Sequence, residues 1–274
     1  MEDIIVGTFK QYGIDIYKSI AIGALVFARL IGIIFQTPFL GGRLVPGQVK
    51  VGISVILMMV FYPYVFSLID ELPMGFIPLV FLWMKEVFVG FAIGFIASLI
   101  FFGIQIGGRI VDMMRGENMV NIFDPYSRIQ ASPTGELLFQ LMIVLWLTFN
   151  GHHIFIKGIA KSFEVIPING FVTVKVGQIS QFVELLLRLS ADIFLIGVLI
   201  SAPAIIVLFL IDASFGIINR VAPQIQVFFL AMPLKALIGV LMVFLALHLI
   251  ANQMEVYLHK MLNNVHDGIE LLGK

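Results

Sequence analysis

Long apolar runs, separated by short polar stretches, account for most of this chain. Six runs stand out, and each reaches the length of about 20 residues that a membrane-spanning helix needs. They cover Ile20–Phe39, Val49–Ile69, Phe76–Ile106, Leu137–Ile159, Phe182–Ile218 and Ile225–Ile250. The third and fifth are longer than one upright crossing requires, so we expect each to be tilted or broken. Pro203 is the predicted break in the fifth run.

The end of the chain has a different pattern. From Asn252 onward, charged and apolar positions are mixed in a way that predicts an amphipathic helix outside the hydrocarbon. Together with the six runs, this pattern predicts an all-α membrane protein. Its long apolar helical segments are expected to pack as hairpins, some of them broken or kinked.

Composition supports a membrane protein and excludes several other classes. Of the 274 residues, 60% are hydrophobic and 12% charged, against about 45–50% and about 25% in soluble domains. The absence of cysteine excludes disulfides, a thiol nucleophile and cysteine-ligated metal. The net charge of zero argues against nucleic acid as a partner, because phosphate binding needs a basic surface.

Several charged residues fall inside or beside the apolar runs. Arg29, Lys85, Glu86 and Lys235 lie within them, where a charge at the bilayer centre costs about 2.5–3.5 kcal/mol. We therefore expect these side chains to face protein or water rather than lipid. Lysine and arginine are divided almost evenly between the two sides of a six-span topology, so they assign no orientation.

A second group of charges has helical spacing. Glu184, Arg188 and Asp192 are four residues apart and therefore share one helical face. Each neighbouring pair can form a contact worth about 0.2–0.5 kcal/mol in an isolated helix. The face is either a solvated helix end or a polar surface against a partner subunit.

The sequence offers little support for catalysis. His152 and His153 are adjacent, so a helix directs them about 100° apart, which does not suit a shared metal ion. No H-E-x-x-H, G-x-S-x-G or phosphate-binding glycine loop occurs. We therefore expect no enzymatic activity, no cofactor and no metal site.

A proton-coupled small-solute transporter remains as an alternative. Lys85, Glu86 and Asp192 would provide its charged groups, with Asp212 as a further near-membrane carboxylate. Such transporters usually contain internal repeats, and no convincing repeat relates the two halves of this chain.

A polar, turn-rich stretch, "RGENMVNIFDPYSRIQASPTGE", interrupts the middle of the chain at Arg115–Glu136. Gly103, Gly107 and Gly108 precede it and are expected to weaken the end of the third run. Ser132 before Pro133 has the pattern of a helix N-cap followed by proline at the first helical position. We expect a long loop near residues 107–133, and connections of that length are usually functional.

Three stretches together resemble one known family. The first contains Gly108–Arg109, Asp112, Arg115–Gly116, Asp124–Pro125 and Ser132–Pro133–Thr134–Gly135. The second contains Asn150–Gly151–His152, Ser162 and Pro167. The third and most specific is "INRVAPQIQVFFLAMPLKA" at Ile218–Ala236. The sequence is similar in these places to the FliR/SctT family, the export-gate membrane subunit of type III secretion systems. Arg115–Gly116 after Asp112 resembles the virulence branch more than the flagellar one.

The resemblance implies a place in a larger complex. Members of the family assemble with FliP/SctR-type, FliQ/SctS-type and FlhB/SctU-type subunits around the path of unfolded export substrates, in contact with membrane lipid. They reside in the bacterial inner membrane and extend partly toward the periplasm. The resemblance implies a FliP-like part at residues 1–180 and a FliQ-like hairpin with an amphipathic tail at residues 181–274.

The resemblance also implies roles for particular residues. The central loop would lie across the closed pore as a plug, as opposed to an ordinary solvated connection. Its plug residues would be Asp112, Met113, Met114, Arg115, Glu117, Met119, Ile122, Phe123 and Asp124. Its methionines are flexible enough to seal an irregular gap, and its charges could hold the closed position. Subunit-interface residues would be Lys85, Glu86, Glu184, Arg188, Asp192, Arg220, Pro223, Gln224, Pro233 and Lys235.

Overall fold

The structure, a computed structural model, describes residues 16–42, 45–69, 72–73, 75–117, 132–170, 176–224 and 226–273. This part of the chain is helical, without strands. The helices are α1 (Ile16–Gln36), α2 (Pro38–Gly41), α3 (Gly47–Ser67), α4 (Phe76–Met114), α5 (Pro133–Thr148), α6 (Gly151–Val165), α7 (Val176–Val221) and α8 (Val227–Gly273). Five are long and apolar enough to cross a membrane, or up to six if the bent pair α5–α6 counts as one crossing. The predicted all-α membrane class is confirmed.

The third apolar run continues beyond its predicted end. The helix α4 passes through Gly107 and Gly108 and ends at Met114, so the prediction of a loop from residue 107 was wrong. Both glycines permit close packing: a Cβ on Gly107 would lie 3.0 Å from the oxygen of Gly197, and one on Gly108 would lie 2.4 Å from Cα of Gly135. The helix ends where Gly116 adopts a φ of 88°, which glycine tolerates without strain.

The predicted break at Pro203 does not occur. The helix α7 is continuous over 46 residues with Pro203 inside it, although proline lacks the N–H that a helix interior uses. The tail after Asn252 is helical as expected, but it is the end of α8 rather than a separate element. Its buried residues recur at helical spacing and include Leu258, Met261, Val265, Ile269 and Leu272.

The fourth run is interrupted where no break was expected. The helices α5 and α6 meet at 75° across residues 149–150. Asn150 has a φ of 56°, a left-handed conformation that asparagine adopts more readily than most residues. Gly151 follows because a Cβ there would lie 2.5 Å from the indole of Trp146.

The chain divides into two compact units. The first comprises residues 1–98, 153–186 and 262–274. In its interior α1 and α4 approach closely, since a Cβ on Gly90 would lie 2.1 Å from the backbone oxygen of Arg29. Buried side chains of α1 in this unit are Ile22, Leu25, Val26, Leu30, Ile33 and Ile34.

The second unit comprises residues 99–152 and 187–261. The last part of α4 packs there against α7, where Gly103 and Gly107 face Ile193, Ile196 and Ile200. Small residues at such contacts allow the close helix packing that is common in membrane proteins. This unit contains both ends of the central loop.

Candidate functional site

Asp112 joins the two ends of the central loop. Its Oδ1 accepts a hydrogen bond of 2.9 Å from Nη1 of Arg115. Its Oδ2 accepts hydrogen bonds from Oγ of Ser132 at 2.6 Å and from the backbone N–H of Thr134 at 2.9 Å. Asp112 is only 3% exposed, so these charge-assisted bonds are formed away from water. We call Asp112, Arg115, Glu117, Ser132 and Thr134 the loop base.

Local sequence explains why the second half of the loop base has this geometry. Ser132 is the N-cap of α5, and its Oγ accepts a hydrogen bond of 3.1 Å from the N–H of Gly135. Pro133 occupies the first helical turn. Both features were predicted and are confirmed. The contact between Gly108 and Gly135 brings α4 close enough for Asp112 to reach the first turn of α5.

The loop base contains two carboxylates and one guanidinium. Nη1 of Arg115 also donates to Oγ1 of Thr134 at 3.3 Å. Burial and the neighbouring Asp112 carboxylate raise the pKa of Glu117, and Arg115 opposes that shift. The protonation of Glu117 therefore changes the charge balance at the loop base.

The structure places five of the nine predicted plug residues. Asp112, Met113 and Met114 form the end of α4, and Arg115 and Glu117 follow it. Met113 is exposed. Met119, Ile122, Phe123 and Asp124 lie outside the described residues.

A second charged cluster is buried in the first unit. Nε of Arg29 lies 2.5 Å from Oε2 of Glu86, and Nζ of Lys85 lies 2.7 Å from Oε1. The guanidinium also donates to the backbone oxygens of Ser162 and Ile166, at 2.6 and 2.7 Å. These carbonyls lie at the C-terminus of α6, where a positive charge is favourable. The expectation that these charges face protein is confirmed.

Glu86 was also predicted to contact another subunit. Its side chain has no exposed surface, because two cations and the surrounding helices of its own chain enclose it. The cluster therefore joins α1, α4 and α6 within one subunit. Lys85 additionally donates to the backbone oxygens of Pro167 and Gly170, at 2.8 and 2.9 Å.

The other predicted interface residues lie at the surface of the chain or in ion pairs within it. Asp192 forms an ion pair of 2.6 Å with Lys260 of α8, and Lys235 forms one with Asp212. The exposed residues are Glu184, Arg188, Arg220, Pro223, Gln224 and Pro233. Neither ion pair was predicted, since each joins residues on different helices.

The helices α7 and α8 expose large apolar side chains along the second unit. Examples on α7 are Phe194, Leu199, Ile206, Phe209 and Ile217, and examples on α8 are Phe229, Leu237, Phe244, Leu249 and Val256. The two helices have 46 and 47 residues, which corresponds to about 70 Å each at about 1.5 Å per residue. A bilayer core is about 30 Å thick.

Comparison with known proteins identifies one family. The family model described as bacterial export proteins, family 1, matches residues 20–261. Flagellar biosynthetic protein FliR of Bacillus subtilis (strain 168) is 29% identical over 228 residues, which cover 82% of this chain and 86% of that protein.

FliR of Escherichia coli (strain K12) is 26% identical over 249 residues, covering 89% and 91% of the two chains. Yop proteins translocation protein T of Yersinia pestis is 32% identical over 188 residues, covering 69% of each chain. The relatives thus include both flagellar biosynthetic proteins and a Yop proteins translocation protein. The chain belongs to the bacterial export proteins, family 1, which is the FliR/SctT family.

Proposed function

We propose that this protein is the FliR/SctT-type subunit of a type III export gate, where it helps to form the protein-conducting channel and to close it with its central loop. Arg115–Gly116 after Asp112 favours a virulence system. The protein acts in the bacterial inner membrane and extends partly toward the periplasm. It is a structural component without a catalytic site, and partner proteins provide the energy for export.

The observation that carries the proposal is the length of α7 and α8. Each is about twice as long as the bilayer core is thick, yet both remain apolar and exposed over much of their length. Apolar surface outside the hydrocarbon needs protein to cover it. Long helices of FliP/SctR-type, FliQ/SctS-type and FlhB/SctU-type subunits would provide that cover.

The two halves of the chain have separate roles in this proposal. Residues 1–180 correspond to the FliP-like part, and residues 181–274 to the FliQ-like hairpin. The boundary lies near the start of α7, which begins at Val176. Exposed Glu184, Arg188 and Arg220 of α7 are available to neighbouring subunits in such a complex.

The loop base supports a closing role for the central loop. Asp112 connects the last turn of α4 to the first turn of α5, so both ends of the loop are held together. In this proposal, the segment between those ends covers the pore. The apolar plug residues are Met113, Met114, Met119, Ile122 and Phe123, and the charged ones are Asp112, Arg115, Glu117 and Asp124. Unfolded substrate would displace the loop when it enters.

The charged groups on which the transporter alternative depends are already paired within the chain. Glu86 is enclosed between Arg29 and Lys85, and Asp192 is paired with Lys260. A proton relay needs carboxylates that can exchange protons with a pathway. The charges on which the alternative relied are better explained as packing contacts.

Co-expression with FliP-type and FliQ-type subunits tests the proposed assembly. A stable complex that co-purifies with this chain supports the proposal. A chain that remains monomeric in their presence, and moves a small solute when reconstituted alone, contradicts it.

A further inference from the structure

Gly239 lies in the N-terminal third of α8 and faces Arg115 of the loop base. A Cβ built on Gly239 would lie 2.4 Å from Cγ of Arg115, 2.5 Å from Cδ and 3.2 Å from Nε. Contacts below 3.0 Å between carbon atoms do not persist in folded proteins, so no larger residue fits while Arg115 stays in place. The aliphatic part of Arg115 therefore fills a space that exists because residue 239 has no side chain.

The position of this glycine is unfavourable for the helix itself. Glycine lowers the stability of a helix interior relative to alanine. Gly158 of α6 also lies inside a helix, but a Cβ there would meet nothing within 4 Å. Gly239 is buried and Gly158 is only partly buried, which makes the two a natural comparison.

Arg115 is held on two sides. Its Nη1 donates to Asp112 at 2.9 Å and to Thr134 at 3.3 Å, and its methylene groups contact Gly239. Within the described residues, its buried Nε–H has no hydrogen-bond partner. An unpaired buried donor is unfavourable, so this position of Arg115 is less stable than the ion pair alone would make it.

We propose that Gly239 is a positioning residue for gate closure: it admits Arg115 against α8, and α8 thereby keeps the loop base closed. This inference rests on the proposed function. The unpaired Nε–H makes the contact easy to release, so a movement of α8 relative to α4 would free Arg115, weaken its bond to Asp112 and let the loop open. The C-terminal hairpin would in this way control the central loop.

The matched variants Gly239→Ala and Gly158→Ala test the inference in cells that express the whole gate. The added methyl group at 239 forces Arg115 out, whereas the one at 158 occupies open space. Loss of one charge-assisted bond shifts a closed–open equilibrium by roughly tenfold or more. We expect Gly239→Ala to raise ion permeability by about that factor, and Gly158→Ala to leave it unchanged. Equal permeability in the two variants would overturn the inference.

The double variant Arg115→Ala with Gly239→Ala provides a second test. Once Arg115 is truncated, the methyl group at 239 has nothing to displace. The double variant is therefore expected to be no more permeable than Arg115→Ala alone. If the double variant instead shows the product of the two single increases in permeability, the proposed contact is contradicted. If Gly239→Ala alone fails to assemble, the double variant should restore assembly. Failure of both would count against the contact.

Two further measurements separate this inference from the proposed function. Thermal unfolding of the purified complex reports the contact without reference to permeability. The changes at 115 and 239 should be non-additive, and those at 115 and 158 additive. Deletion of Asn118–Phe123, which leaves Arg115 and Glu117 in place, reports the plug. If that deletion leaves the gate tight while 115 and 239 remain coupled, the contact stands and its role in gating is refuted. If the deletion leaks and 115 and 239 are uncoupled, the plug stands and the role of Gly239 is refuted.

Discussion

Replacing Glu86 with glutamine should strongly destabilise the first unit. Glu86 is the only acidic member of a buried cluster with Arg29 and Lys85, and its side chain has no exposed surface. The amide is nearly the same shape, so the change removes a charge without opening a cavity. Breaking one side of a buried ion pair costs about 3–5 kcal/mol, because the remaining charge is left uncompensated.

Thermal unfolding of the purified chain in detergent measures the effect. A change of about 1 kcal/mol moves the midpoint by about 2–4 °C in a protein of this size range, so we expect a loss of roughly 10 °C. Glu184→Gln is the control, since Glu184 lies in the same unit but is exposed. If the two variants unfold within about 2 °C of each other, the account of a paired, buried charge is wrong.

Three further predictions concern the assembly and the loop base. Arg220→Ala should lower the yield of complex with FliP-type and FliQ-type subunits without affecting membrane insertion. Lys157→Ala, also at an exposed position, should leave that yield unchanged. Equal yields from the two variants would refute the interface. Asp112→Asn should raise permeability of the assembled gate about tenfold or more, because Arg115 loses its charged partner. Since the pKa of Glu117 is raised above the ordinary value of 4.5, closure should be strongest below 4.5 and weaken as pH rises through the raised pKa. Glu117→Gln should abolish that pH dependence in permeability measurements.

The features that were predicted correctly from the sequence depend on residues that are close together along the chain. The apolar runs indicated helices because length and hydrophobicity alone determine whether a segment suits a bilayer. Ser132 and Pro133 marked the start of α5, since an N-cap and its proline act within one helical turn. Both signals are local, and both were confirmed.

The errors arose where one residue type has two uses. Gly107 and Gly108 suggested the end of a helix, but they allow α4 to approach other helices closely. Pro203 suggested a break, although α7 continues through it. Asn150–Gly151 was noted as part of a family motif, and its role as a 75° bend was missed. Only the packing partners decide between these uses.

Contacts between residues that are far apart in the chain could not be predicted from the sequence. Arg29, Lys85 and Glu86 were expected only to face protein or water, and the structure joins them in one cluster although Arg29 and Glu86 are 57 residues apart. If Lys85 and Glu86 formed an isolated pair, replacing both would be mild. With Arg29 left uncompensated, that replacement should instead be severe. The contact of Arg115 with Gly239 is likewise invisible without coordinates.

Deletion of Met113–Asn121 tests the central claim most directly, because it removes the last two residues of α4 and the first part of the loop, with Arg115 and Glu117, while leaving Asp112 and the start of α5 in place. Permeability to small ions would be measured in cells that express the complete gate, alongside recovery of the assembled complex. The account predicts a complex that assembles in normal amounts and leaks. An assembled complex that remains as tight as the unaltered one would contradict it and would make this stretch an ordinary connecting loop.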